Sequence, residues 1–198
     1  MDDVRAVCAS PAGAVPPDAV AAALVAVFEE GGEARIVLIR RALRLPLNPG
    51  EMAFPGGMVE AGETMVEAAL READEEVGLP PEAVEVVGWL DVVTGKQSGS
   101  TVLPVVGVLR ERPALVPFEA EVVAVTDVAM SGLLGCCRTE WWDERDMYFF
   151  DLGEDLVWGL TARVLYDLLC RLSGRAAPPG SAPAPEPRDE RAHLPTHG

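Results

Sequence analysis

The sequence predicts an α/β fold in which a mixed β-sheet packs between helices. Apolar, β-rich segments occupy much of the chain between residues 23 and 152. Turn-forming sequences separate several of these segments, and two other stretches have the apolar spacing of helices. Strands combined with two long helices are typical of a sheet that helices cover.

The predicted strands are apolar runs, rich in β-branched residues and bounded by turn signals. EGGEA separates the first two runs, which we expect to form a hairpin, and TGKQSGS separates the third from the fourth. The six segments are 23–29, 35–41, 83–93, 101–109, 121–128 and 147–152.

Two helices are predicted, at residues 64–77 and 157–172. Thr64 and Glu67 form a T-x-x-E capping box at the start of the first helix, and Gly78 follows its end. Apolar spacings of three and four predict the buried stripe of each helix. The predicted stripes are Val66, Leu70, Ala73 and Val77 in the first helix and Leu160, Val164, Leu168 and Leu172 in the second.

A single domain is expected at residues 19–173, because 198 residues are few for two domains. Residues 1–18 contain three prolines and are expected to form an ill-ordered arm or a short helix. Pro, Ala and Gly dominate residues 174–198, which are predicted to be a disordered tail. No apolar run reaches the roughly 18–20 residues that span a bilayer, so no membrane segment is expected.

The formal net charge of −16 restricts the partners of this chain. A surface of that charge repels nucleic acid and anionic lipid, so neither is expected as a partner. A phosphate-bearing substrate would need local arginines or bound cations. Lys96, the one lysine, lies in a polar loop and could meet phosphate, although an exposed loop lysine is the simpler interpretation.

Cysteine and histidine usage excludes several enzyme classes. None of the four cysteines forms a CxxC motif, so neither a zinc site nor a disulfide framework is indicated. Reduced thiols, and with them a cytoplasmic location, are the expectation. Both histidines, His193 and His197, lie in the predicted tail, which excludes a Ser-His-Asp or Cys-His hydrolase from the domain.

Three carboxylates are predicted to converge at one edge of the first helix. Glu72 and Glu76 lie about 40° apart on a helical projection, and Glu75 is next to Glu72 on the solvent side. Clusters of oxygen donors suit hard divalent cations such as Mg²⁺ or Mn²⁺. A solvated acidic helix face is the alternative, and composition alone would favour it.

The spacing of this segment favours the metal interpretation. From Gly57 the chain continues with five residues, Glu63, seven residues, Arg71-Glu72-Ala73, one residue, Glu75-Glu76, one residue and Gly78-Leu79. This matches every fixed position of the Nudix box, and the chain therefore resembles a Nudix hydrolase. The resemblance implies an α/β/α sandwich that hydrolyses a nucleoside diphosphate linked to another group.

The resemblance also implies roles for the residues of the box. Glu72 and Glu76 would be metal ligands, and Glu75 would be a further ligand, directly or through water. A backbone carbonyl near Gly56 or Gly57 would also serve, since glycine lets the backbone approach the metal. Arg71 would pair with Glu63 and hold the carboxylates in place, although an ordinary surface salt bridge differs little from that role.

The segment VLIRRALRLPLNPGEMAFPGG, residues 37–57, resembles the signature of the coenzyme A pyrophosphatase subfamily. The agreeing positions are Leu38, Arg41, Ala42, Gly50 and Phe54-Pro55-Gly56-Gly57. Pro46 stands where the signature has its second arginine, and Arg44 or Arg40 could substitute for it. Arg40, Arg41 and Arg44 are thus candidate substrate-binding residues, with solubility at a strand end as the alternative role.

Coenzyme A or an acyl derivative is therefore the leading small-molecule diphosphate substrate. The alternatives are ADP-ribose, dinucleotides or nucleoside triphosphates, and nucleotide binding without hydrolysis. Glu119 and Glu121 could supply an extra acidic ligand or base, but structural capping is the simpler interpretation. Trp141 and Trp142 could stack on a base or pack at the interface of a homodimer.

Overall fold

The computed structural model describes residues 1–8, 19–95, 99–142 and 145–175. Within these ranges the helices are α1 Asp2–Val7, α2 Met65–Val77 and α3 Gly159–Leu172. The first eight strands are β1 Ala21–Glu30, β2 Glu33–Arg41, β3 Met52–Ala53, β4 Gly56–Met58, β5 Val84–Trp89, β6 Val93–Thr94, β7 Thr101–Leu109 and β8 Val122–Ala129. The remaining strands are β9 Cys137–Trp142, β10 Arg145–Asp151 and β11 Leu156–Val157.

A mixed sheet forms the centre of the domain. Its main path runs β3-β2-β1-β7-β5, and the strands β4, β6 and β8 pair with β1, β7 and β2 respectively. The β1–β7 pair is parallel, whereas the other described pairs of this sheet are antiparallel. The predicted hairpin is confirmed, because β1 and β2 pair from Glu30–Glu33 to Val27–Ile36.

Helices cover both faces of this sheet. Alternate residues of β1 enter the two cores, with Val25 and Val27 on the α3 side and Leu24 and Phe28 on the α2 side. A strand that is buried on both faces is apolar at nearly every position, which explains the run AAALVAVF. The α/β fold class with a mixed sheet is thereby confirmed.

The predicted capping of α2 is present. The Thr64 hydroxyl accepts from the Glu67 N–H at 3.2 Å, the Glu67 carboxylate accepts from the Thr64 N–H at 2.8 Å, and Gly78 ends the helix at φ 66°. The predicted buried stripe was partly wrong, because Val66 and Leu70 are only half-buried. The inward face carries small residues that let α2 approach the sheet closely. Its buried residues are Ala68, Ala69, Ala73, Glu76 and Val77.

The helix α3 begins two residues later than predicted, and its buried face is also shifted. Val164 and Leu168 are buried as expected, whereas Leu160 and Leu172 are only half-buried. Leu165 and Leu169 complete the face that packs against the sheet. Among the described residues, no helix combines the length and apolar character needed to cross a membrane.

A second, three-stranded sheet, β11-β10-β9, lies beside α3. Only β10 was predicted, since β9 is exposed along most of its length and has no apolar alternation. Part of the N-terminal arm is the short helix α1, whose Val4 is buried in the core on the α3 side. Residues 9–18, Lys96, His193, His197 and the predicted tail beyond 175 lie outside the described residues, and the domain boundaries stay predictions.

Candidate functional site

Glu76 is a buried carboxylate at the centre of the candidate site. It lies on the inward face of α2, is 2% exposed, and accepts a hydrogen bond from the Gly56 N–H at 2.9 Å. Burial raises its pKa to about 7, against the opposing effects of the Gly56 N–H and Arg41 and with the help of the charges of Glu72 and Glu121. The Arg41 guanidinium stands 3.9 Å from Glu76 Oε1, beyond hydrogen-bond distance.

Glu72 lies one helical turn before Glu76 and faces the next residue of β4. A Cβ built on Gly57 would lie 2.3 Å from Glu72 Oε1 and 2.4 Å from its Cδ, so this carboxylate fills the space beside Gly57. Partial burial raises the pKa of Glu72, and Arg71 opposes that shift. Two consecutive glycines of β4 therefore meet two carboxylates of α2.

Arg71 uses all five of its N–H donors, four of them for carboxylate oxygens of the site. Its Nε and Nη2 donate to the Glu63 carboxylate at 2.9 and 3.1 Å, and Nη2 also donates to the Met58 carbonyl at 3.1 Å. Its Nη1 donates to Glu72 Oε1 at 2.9 Å and to Glu75 Oε2 at 3.0 Å. The bonds from Arg71 and from the Glu60 N–H lower the pKa of Glu63. The arginine thus ties the loop before α2 to the helix.

In the described part of the chain, no three His, Cys, Asp or Glu side chains are arranged to hold a metal ion. The reason is visible in the contacts, since Arg71 binds Glu72 and Glu75 while Glu76 accepts from the Gly56 N–H. The residues nevertheless fit a hard divalent cation, because all three side chains offer carboxylate oxygens. Glu76 is also buried without a cation in hydrogen-bond contact, a charge that a metal ion would neutralise.

The three candidate substrate-binding arginines lie in different environments. Arg41 is beside Glu76, and its buried Nε has no hydrogen-bond partner among the described residues. Arg40 pairs with Asp155. Arg44 donates from Nε to the Ala120 carbonyl at 2.8 Å and from Nη2 to the Glu119 carbonyl. Arg41 is therefore the one of the three that lies beside a carboxylate of α2 and has an N–H donor with no hydrogen-bond partner among the described residues.

Glu121 contributes to the site more directly than the sequence indicated. Its charge raises the pKa of both Glu72 and Glu76. A backbone hydrogen bond from the Ala42 N–H to the Glu121 carbonyl, at 2.8 Å, holds Glu121 beside the end of β2. Glu119 instead supplies its carbonyl to Arg44. The acidic stretch before β8 was the signal for this residue, but the sequence could not say which glutamate approaches α2.

The buried charge of Glu76 predicts an unusual pH dependence of stability in metal-free protein. Its pKa is about 7 in the folded state and 4.5 ordinarily, so the folded state binds the extra proton between these values. The free energy of unfolding should therefore fall as pH rises through that window, by about 3 kcal/mol at 1.36 kcal/mol per pKa unit. Urea unfolding with a chelator measures it.

The variant Glu76→Gln isolates this contribution. In metal-free protein it should be more stable than the wild type at pH 8, and the two should converge at about pH 4, below the ordinary pKa of 4.5, where the glutamate is neutral in both the folded and the unfolded state. A stability difference between the two that does not change with pH would contradict the assignment.

Comparison with known proteins gives consistent matches. Residues 17–129 match the NUDIX domain. "Nudix hydrolase 22, chloroplastic" of Arabidopsis thaliana is 36% identical over 159 residues, which cover 73% of this chain but only 52% of that protein. "Uncharacterized Nudix hydrolase NudL" of Citrobacter koseri is 35% identical over 157 residues, covering 71% of this chain and 76% of that protein. The crystal structure of RenU, a Nudix hydrolase from M. smegmatis, is similar with a TM-score of 0.51 and 28% identity, covering 65% of this chain and 81% of that one.

Proposed function

Because the chain belongs to the Nudix hydrolase family, which acts on phosphoric anhydrides in nucleoside diphosphate derivatives, we propose that its substrate is coenzyme A or an acyl derivative. Hydrolysis of the diphosphate would give 3′,5′-ADP and a phosphopantetheine compound. The residues of the Nudix box specify the bond that is cleaved and not the group attached to it, so residues outside the box must select the substrate.

The observation that carries the substrate proposal is the position of Arg41. It belongs to the segment that resembles the coenzyme A signature, and it stands 3.9 Å from Glu76 with its Nε unpartnered among the described residues. A guanidinium beside a cluster of carboxylates that would hold a metal ion suits a diphosphate, because its fork matches phosphate oxygens. Arg44 instead holds the loop at 119–120, which makes it a support for the site.

The loop that follows Arg41 adds an apolar surface. Leu43 is 79% exposed and Leu47 is 60% exposed, so this loop presents two apolar side chains to solvent. Phe118, 54% exposed, lies at the end of α2, where its N–H donates to the Glu76 carbonyl at 2.8 Å. An apolar surface next to the carboxylates suits the pantetheine arm or an acyl chain better than it suits the ribose of ADP-ribose.

Nudix hydrolases generally need a divalent cation, and Mg²⁺ or Mn²⁺ is the metal we propose. Glu72, Glu75 and Glu76 would hold it, with a backbone carbonyl near Gly57. When bound, the ion supplies neutralisation of the diphosphate charge and lowers the pKa of a water molecule. Arg71 and Glu63 orient the carboxylates, Arg41 binds phosphate oxygens, and a carboxylate that holds no metal, for which Glu121 is the candidate, accepts the water proton.

A substrate panel tests the proposal. Coenzyme A and acyl-coenzyme A should have a kcat/KM at least about tenfold above those of ADP-ribose, dinucleotides and nucleoside triphosphates, with Mg²⁺ and with Mn²⁺. The variant Arg41→Gln should raise KM for coenzyme A, whereas Arg110→Gln, an exposed arginine after β7, should leave it unchanged. Preference for ADP-ribose would overturn the substrate, and binding of coenzyme A without turnover would favour a nucleotide-binding regulator.

A further inference from the structure

Among the described residues, strand β9 lies at the edge of its sheet with one side unpaired. Within residues 1–8, 19–95, 99–142 and 145–175 it pairs only with β10, in a regular antiparallel register from Cys137–Phe150 to Trp142–Arg145. The four residues from Arg138 to Trp141 are all exposed, and Trp141 is 71% exposed. Tryptophan is highly buried on average and is enriched at interfaces, so this ring is an apolar surface that suits a partner.

Natural proteins normally protect such an edge, because its free N–H and C=O groups can pair with any extended chain. The usual protections are proline, a bulge, charged side chains such as lysine, or a segment that covers the edge. Strand β9 contains no proline and its register with β10 is regular. Its two charged residues, Arg138 and Glu140, form an ion pair with each other. The edge is therefore neutral and available for pairing, in a chain whose net charge is −16.

The order of residues in β9 is self-complementary about Thr139. In an antiparallel pair of two β9 strands related by a two-fold axis at Thr139, Arg138 of each copy lies opposite Glu140 of the other. A two-fold axis at Arg138 or at Glu140 would instead place like charges opposite each other, which is unfavourable. The same arrangement places Trp141 opposite Cys137, which would cover the exposed ring.

We infer that β9 is the dimerisation edge of this protein, and that a second copy of the chain adds its own β9 antiparallel to it, centred on Thr139. The contact is isologous, as in most homodimers, and it extends the small sheet across the two-fold axis. The neutral, charge-complementary strand brings two acidic molecules together where their repulsion is weakest. Arg138 also lies over the Phe149 ring at 4.7 Å, which holds its guanidinium near the edge.

Charge reversal tests both the interface and its register. Sedimentation velocity of the full chain should show a dimer of twice 21.0 kDa, with a dissociation constant that Arg138→Glu raises at least about tenfold, because two attractive pairs become repulsive. The double variant Arg138→Glu/Glu140→Arg restores opposite charges and should return the constant to within about threefold of wild type. Arg110→Glu changes the net charge equally at a site away from β9 and should leave it unchanged.

Cross-linking tests the axis directly. Paired residues of antiparallel strands have Cα atoms about 4.5–5.5 Å apart, within the range that a disulfide bridges. Thr139→Cys, in a chain that also carries Cys136→Ser, should form a covalent dimer under mild oxidation, and Cys136→Ser alone should not. A monomeric wild type, or a dimer that Arg138→Glu does not weaken and Thr139→Cys does not cross-link, would overturn the inference.

Discussion

Replacing Glu76 with glutamine is expected to lower kcat about 10³-fold and leave the chain folded. The activity loss follows from removing a charge that the proposed metal requires, because the Lewis-acid contribution of such an ion is worth several kcal/mol and 1.36 kcal/mol is tenfold in rate. The fold should persist because glutamine keeps the shape of the side chain and an oxygen that can accept the Gly56 N–H, a bond of 2.9 Å in the wild type.

The matched control is Asp74→Asn, which removes one negative charge from the exposed face of the same helix. We expect its kcat to stay within about twofold of wild type, since exposed charges outside the site contribute little. Steady-state kinetics over a range of Mg²⁺ and Mn²⁺ concentrations distinguish a weakened metal site from a lost one. Activity of Glu76→Gln within tenfold of the wild type would remove Glu76 from the proposed ligands.

The same residue is expected to limit stability while it supports activity. A carboxylate that is 2% exposed, with a pKa of about 7, costs free energy to ionise in the metal-free fold. Loss of activity together with a gain in metal-free stability would be hard to explain by misfolding. The pair of measurements therefore separates a functional role of Glu76 from a structural one.

Much of the central sheet could be predicted because its strands are buried on both faces. Such strands have continuous apolar runs, and β1, β2 and β7 are all of this kind. The strand β9 could not be predicted, because its residues 138–141 face solvent and leave no apolar pattern. The buried face of α2 was mispredicted for a related reason. A prediction from hydrophobicity places Val66 and Leu70 in the core ahead of alanine, whereas alanines contact the sheet in the structure.

The box residues could be identified from spacing, but their contacts could not. That Arg71 uses Nη1 for Glu72 and Glu75 at once depends on where the Met58 carbonyl anchors its other nitrogen. The approach of Glu121 depends on a hydrogen bond between two loops that are far apart in the chain. Long-range geometry of this kind is set by the packed sheet and has no local signature in the sequence.

Replacing Gly57 with alanine is expected to weaken the metal site and spare the fold. The new Cβ would lie 2.3 Å from Glu72 Oε1, which real atoms do not tolerate, and the flexible carboxylate can move aside at small cost. The movement separates Glu72 from Arg71 Nη1, now at 2.9 Å, and from the position beside Glu76. Displacing a ligand's support typically costs 10–100-fold in metal affinity, so the half-saturating Mn²⁺ concentration should rise by about that factor.

Two other glycines provide the controls for this prediction. A Cβ added at Gly135 would meet no atom within 4 Å, so Gly135→Ala should change neither metal dependence nor stability. At Gly56 the Cβ would meet backbone, at 2.4 Å from the Ala22 oxygen and 2.5 Å from the Ala23 Cα, and backbone cannot move aside without breaking the β1–β4 pairing. Gly56→Ala should thus lower the melting temperature, whereas Gly57→Ala should mainly raise the metal requirement. If Gly57→Ala instead unfolds the protein as readily as Gly56→Ala, the space beside Gly57 serves the packing of β4, and Glu72 is not held there for a metal.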